Sequence, residues 1–174
     1  MEFVVNQFFI KDPLSKNGDN IWTINDWRGF FMHLYKERTK LYDPTDNDGA
    51  NWNYIANPSG GFFGFWWYFR TIQKDIYTPY LQLENNELCF KIEVKDETKR
   101  YEAREEAYRK LIETANELGI TSIKRPGRMG NGRYMTVLRW DGDYLESANG
   151  KLDFNATLEN LKKAQLILDT AFSH

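Results

Sequence analysis

Phe62-Phe63-Gly64-Phe65-Trp66-Trp67-Tyr68-Phe69 carries seven aromatic side chains in eight positions. A β-strand sends successive side chains to opposite faces, so a strand made of this run is aromatic on both sides. It must be covered on both faces, or covered on one and offered to a ligand on the other. Ahead of it, Asn57-Pro58-Ser59-Gly60-Gly61 has turn chemistry, and Trp52 to Ile55 reads as a short partner strand. The run is expected to form the central strand, Phe62 to Thr71.

The next pair of strands can be registered on paper. Tyr77 to Glu84 and Glu87 to Lys95 are joined at Asn85-Asn86, where asparagine tolerates the positive φ of a two-residue type I′ turn. That turn pairs Glu84 with Glu87, Leu83 with Leu88, Gln82 with Cys89, Leu81 with Phe90 and Tyr80 with Lys91. Leu81, Leu83, Leu88, Phe90, Ile92 and Val94 then share one face. Tyr80, Gln82, Glu84, Glu87, Lys91, Glu93 and Lys95 share the other, which reads as a solvated face or the floor of a polar site.

Three helices are expected around these strands. Thr23 with Asp26 resembles a capping box, Trp22 and Trp27 stand at staple positions, and apolar residues recur at three and four through Leu41. A second helix over Glu97 to Leu118 has Tyr101, Tyr108, Leu111, Ile112, Ala115 and Leu118 as its stripe, with Gly119 as its end. The last, Ala156 to Phe172, takes Asn155 as cap and turns Leu158, Leu161, Ala164, Leu168 and Phe172 inward. Ser122 to Met129 and Arg133 to Trp140 form another hairpin around Gly130-Asn131-Gly132, with Pro126 marking the first arm as an edge or interrupted strand. The element order predicts an α+β fold, a mostly antiparallel sheet of about six strands packed with three main helices. Residues 1–21 are read as an N-terminal arm and 22–174 as one domain.

Composition narrows the function classes. A net charge of −2 gives no whole-molecule attraction for nucleic acid or anionic membrane, so such binding needs a local patch. Cys89, the single cysteine, excludes an internal disulfide and a cysteine-rich zinc site. The N-terminus lacks signal-peptide features and no apolar run is long enough to span a bilayer, so no membrane association and a cytoplasmic location are expected. Asp46, Asp48 and Gly49 match part of a calcium loop, but Pro44 and Ile55 stand where its first and twelfth ligands belong, which leaves an acidic turn. His33 and His174 have no companion at metal or triad spacing, and Ser59 lacks a nucleophile elbow.

The strings Asn51 to Trp67, Tyr80-Leu81-Gln82-Leu83-Glu84, Leu88-Cys89-Phe90-Lys91-Ile92 and Gly130 to Val137 resemble the C-terminal region of a group of bacterial and phage proteins in the PD-(D/E)XK nuclease superfamily. The resemblance covers roughly Trp22 to the C-terminus. In that family the nuclease core lies in an N-terminal part that this chain appears to lack, and its signature is a helix acid, an Asp and an acid-x-Lys triplet holding Mg²⁺. Glu93-Val94-Lys95 is the nearest match here. Glu84 lies about six residues and roughly 20 Å from Glu93 along the strand, too far to share a metal with it. No catalytic residue, metal or cofactor is therefore carried over. Mg²⁺ belongs only to an alternative in which Glu93 and Lys95 serve a reduced nuclease.

Two surfaces remain as binding candidates. Lys124, Arg125, Arg128, Arg133 and Arg139 have no acidic residue between Lys124 and Asp141, and glycines 127, 130 and 132 would let a phosphate backbone approach beside Tyr134. Trp66 and Tyr68 fall on the side of Gly64, whose missing side chain leaves room for a ring to stack. The expected function is a non-catalytic recognition module for nucleic acid or a protein partner. The alternatives are the reduced nuclease and a phage or mobile-element protein that binds a host nuclease or defence factor.

Overall fold

A computed structural model of the chain describes residues 13, 22–43, 49–58, 60–70 and 76–172. Most of the arm expected over 1–21 and the centre of the acidic turn, 44–48, lie outside the described residues. The elements are α1 (Ile24–Lys36), β1 (Asn51–Ile55), β2 (Phe62–Trp67), β3 (Thr78–Glu84), β4 (Glu87–Glu93), α2 (Arg100–Glu117), β5 (Ile123–Lys124), β6 (Tyr134–Trp140), β7 (Ser147–Ala148), β8 (Lys151–Leu152) and α3 (Phe154–Phe172). The six main strands form one sheet in the order β1-β2-β3-β4-β6-β5, and every neighbouring pair is antiparallel. This is the α+β architecture that the element order predicts. Among the described residues no helix is long and apolar enough to cross a membrane.

Side-chain alternation decides which face is covered. Phe63, Phe65 and Trp67 of β2, Leu81 and Leu83 of β3, and Leu88, Phe90 and Ile92 of β4 point the same way and enter one hydrophobic core. Phe30, Phe31 and Leu34 of α1, Ala103, Ala107 and Leu111 of α2, and Leu158, Leu161 and Leu168 of α3 complete it. All three helices therefore lie on one face. The β3–β4 register is the expected one, from Glu84 opposite Glu87 to Tyr80 opposite Lys91. β2 is second from the edge instead of central, and β3 and β4 hold the middle. Between Phe90 and Lys91 the β4–β6 ladder shifts register, leaving Val137 without a partner there; Met135 and Leu138 face the core on either side of it.

Helix ends follow local hydrogen bonding. Thr23 and Asp26 make the expected capping box, with the Thr23 N–H 2.6 Å from Asp26 Oδ2, and the Trp22 and Trp27 rings meet at 4.8 Å. α1 stops at Lys36 instead of reaching Leu41. A 3₁₀ turn, Arg38–Lys40, follows, and Arg38 Nη1 donates to the Tyr35 carbonyl at 2.9 Å, satisfying a group that continued helix would have used. α2 buries Ala103, Ala107, Leu111, Thr114 and Ala115, while Tyr101 is 66% and Leu118 37% exposed. Its inner stripe is thus rotated from the expected one, because the two alanines let the helix approach the core more closely than a tyrosine would. The cap of α3 is Asp153, not Asn155: Asp153 Oδ1 accepts from the Ala156 N–H at 2.9 Å. The β7–β8 hairpin, turned by Asn149-Gly150 with both φ positive, was not expected.

At the outer edge, two β1 side chains engage their own backbone. Asn51 Oδ1 accepts from the Trp52 N–H and Asn53 Oδ1 from the Tyr54 N–H, both at 2.8 Å.

Candidate functional site

The sheet face away from the helices is left open by every described element. One row of side chains runs across it through all six strands: Asn51, Trp66, Gln82, Cys89, Arg139 and Lys124. Tyr80, Lys91 and Thr136 form the next row, then Thr78, Glu93 and Tyr134. Tyr80 and Cys89 are buried yet lie outside the hydrophobic core, since long neighbours on this face close over them.

A groove of ≈ 520 Å³ is set into this face. Its floor is Tyr80, Gln82 and Lys91; Ile55, Phe62 and Trp66 form one side, and Phe69, Glu93 and Tyr134 also line it. The space expected above Gly64 for an incoming ring is already occupied. A Cβ at Gly64 would stand 2.9 Å from Ile55 Cδ1 and 3.4 Å from the Trp66 ring. The glycine thus seats the chain's own indole, and the free space lies beyond it, over Tyr80.

Tyr68 sets the far end of the groove. With φ of +62° it is a non-glycine residue in the left-handed region, and it breaks the alternation of β2. Unbroken alternation would put Tyr68 on the open face with Trp66. Instead its side chain turns to the helix side, where its hydroxyl donates to Asp169 Oδ2 of α3 and the Arg70 guanidinium lies 3.6 Å from its ring centroid. Arg70 Nε completes the arrangement with Asp169 Oδ1 at 2.7 Å. The same reversal carries Phe69 onto the open face, where its ring stacks on Tyr80 with centroids 4.9 Å apart and planes at 15°. Phe69 was not singled out from the sequence, because a tyrosine gives no signal for positive φ.

The basic residues do not form one patch. Lys124 pairs with Asp141 at 3.0 Å, Arg139 with Glu87 at 2.6 Å, and Arg133 Nε with Glu93 at 2.8 Å. Arg125 turns toward the helix layer, its guanidinium 5.0 Å from the Tyr108 ring centroid of α2, and exposed Arg128 sits on the loop between β5 and β6. Lys91 gives its ammonium to Glu84 at 3.0 Å. Tyr134, 57% exposed, and Trp66 are the sequence candidates brought together at the groove, with Arg133 at its rim beside Tyr134.

The bond from Glu93 raises the Arg133 guanidinium above its ordinary value. Burial pushes the Cys89 thiol up to about 12, so it is protonated and unreactive at neutral pH. Burial likewise raises Tyr80, which remains a neutral phenol. His33 packs against the Phe154 ring at 4.6 Å, and burial lowers its pKa.

Among the described residues the one group of three possible metal ligands is Glu84, Glu87 and Cys89. It does not include Glu93. Lys91 and Gln82 hold Glu84, and Arg139 holds Glu87, so each carboxylate already has a counter-charge or a donor. Lys95 is exposed just past the end of β4. No family model, curated protein or solved structure matches this chain.

Proposed function

We propose that this chain is a non-catalytic recognition module that holds its partner on the open face of the sheet. The observation that supports this reading is the uncovered face itself, with a groove lined by aromatic rings next to a fully packed helical layer. A surface of that kind binds by stacking and shape.

Of the two partner classes, the ion pairs favour a protein. Lys91, Arg133, Arg139 and Lys124 are each matched by a carboxylate, which leaves little net positive charge for a phosphate backbone. An extended segment of another protein, bringing rings and paired charges, meets no such obstacle. The relationship to PD-(D/E)XK proteins remains part of this proposal, as a recognition module accompanying a nuclease core encoded elsewhere. A phage or mobile-element protein that grips a host factor would use the same face.

Fluorescence anisotropy with labelled single- and double-stranded DNA and RNA, at two salt concentrations and with and without Mg²⁺, tests the choice. The expected result is no salt-sensitive binding and no cutting. Salt-sensitive binding that leaves the strands whole would make nucleic acid the partner. Mg²⁺-dependent cutting would replace the module by the reduced nuclease.

A further inference from the structure

The floor of the groove holds a polar group with nothing to bond to. Tyr80 is 4% exposed, and its hydroxyl makes no hydrogen bond with any described residue. The ionisable groups acting on that hydroxyl are Tyr134, Glu84, Glu93 and Cys89, all of the open face, so it stands on the groove side of the sheet. A buried hydroxyl left without a partner costs about 1–3 kcal/mol, and native proteins seldom keep one unless a ligand or water completes it.

We propose that the groove is a binding site for an uncharged planar ring bearing a hydrogen-bond acceptor, the acceptor bonding to the Tyr80 hydroxyl. This rests on the open face being the recognition surface and names what that surface takes. Planarity follows from the walls: the Phe69 ring already stacks on Tyr80, and Trp66, leaning over Gly64, supplies a further flat surface. Absence of charge follows from the ion pairs. Lys91 is engaged by Glu84 and Glu93 by Arg133, so a charged ring would have to break a pair or remain uncompensated. The space, ≈ 520 Å³, suits one substituted ring. Such a ring can belong to a free small molecule or to an aromatic side chain of a protein.

Four probes separate these requirements. Benzamide has ring and acceptor, toluene the ring alone, cyclohexanecarboxamide the acceptor on a puckered ring, and benzoate a charge. Titrated into the ¹⁵N-labelled full chain, benzamide should shift the Trp66 indole N–H and the Gln82 side-chain amide, and bind several-fold more tightly than the other three. Tyr80→Phe keeps the ring and removes the oxygen. It should weaken benzamide about fivefold, leave toluene unchanged, and leave thermal stability equal or higher, because the hydroxyl has no partner in the free protein. Equal binding of benzamide and cyclohexanecarboxamide, or unchanged benzamide affinity in Tyr80→Phe, would overturn the proposal, as would a clear loss of stability in that variant. Benzamide shifts at Asn51 or Lys124 without Trp66 and Gln82 would remove the ring site but keep the open face. Shifts confined to the helices would remove both. A tripeptide amide with a central Tyr, run beside the free ring, identifies the source: tighter binding marks a protein side chain, equal binding a free small molecule.

Discussion

The Tyr68 hydroxyl donates to the Asp169 carboxylate across 101 residues of sequence, and this bond holds β2 in its reversed conformation. Left-handed backbone at a bulky residue costs of order 1–3 kcal/mol and persists only where the surroundings enforce it. Asp169→Ala should therefore lower stability by about 1 kcal/mol, a hydrogen bond's net worth, and should also release Phe69 from Tyr80. Chemical denaturation measures the first effect; loss of ring-to-ring NOEs between Phe69 and Tyr80 measures the second.

Burial, and then the bond to Asp169, push the Tyr68 phenol up to about 12 from an ordinary value of 10. The unfolded chain then ionises more readily than the folded one. Stability attached to this group is fully present below about pH 10 and is lost as the pH rises toward 12. Urea midpoints should fall across that window. Tyr68→Phe should fall less steeply, although Tyr77, Tyr80 and Tyr144, raised in the same direction, keep the remaining slope.

Cys89 should resist thiol reagents in the native protein and react at once in denaturant. Its side chain is inaccessible and its thiol is held protonated by burial. Stoichiometric labelling of native protein by a chromogenic disulfide would contradict the packing of the open face around it.

At Gly64, alanine would press a methyl group against Ile55 and the Trp66 indole. Crowding of this kind costs about 1–3 kcal/mol, partly offset by the backbone entropy that alanine recovers. The expected net loss is about 1 kcal/mol together with a shift in Trp66 emission. An unchanged spectrum would mean that the indole does not rest on the glycine.

Glu93 is bonded by Arg133 and belongs to no three-ligand group among the described residues. Glu93→Ala should behave like the parent chain in Mg²⁺, with neither protein gaining melting temperature from the ion. A metal-dependent rise in the parent that disappears in the variant would establish a metal at Glu93 and favour the nuclease alternative.

The legible parts of this chain are those where one physical rule acts alone. The β3–β4 register follows from a two-residue turn plus alternation, and the start of α1 from Thr23, Asp26 and the two tryptophans. Where two rules compete, the sequence is ambiguous. In α2 a tyrosine stripe and an alanine stripe both have helical spacing, and only the tight approach to the core chooses alanine. The groove was half visible: Tyr80, Gln82, Lys91 and Glu93 fall on one face by counting. Phe69 and the true side of Tyr68 depend on a single φ imposed by Asp169, far along the chain. The small β7–β8 hairpin had a readable signal in Asn149-Gly150 that was passed over.

The two asparagines of β1 bear on how this molecule behaves when concentrated. With the Trp52 and Tyr54 amides engaged by the side chains of Asn51 and Asn53, two donors that a second chain would need for edge-to-edge zipping are already spent. An aromatic-rich strand pair at a sheet margin is otherwise a template for fibrils. The two amide side chains act as gatekeepers, steering association away from the rim and leaving the flat of the sheet as the route by which another molecule can approach.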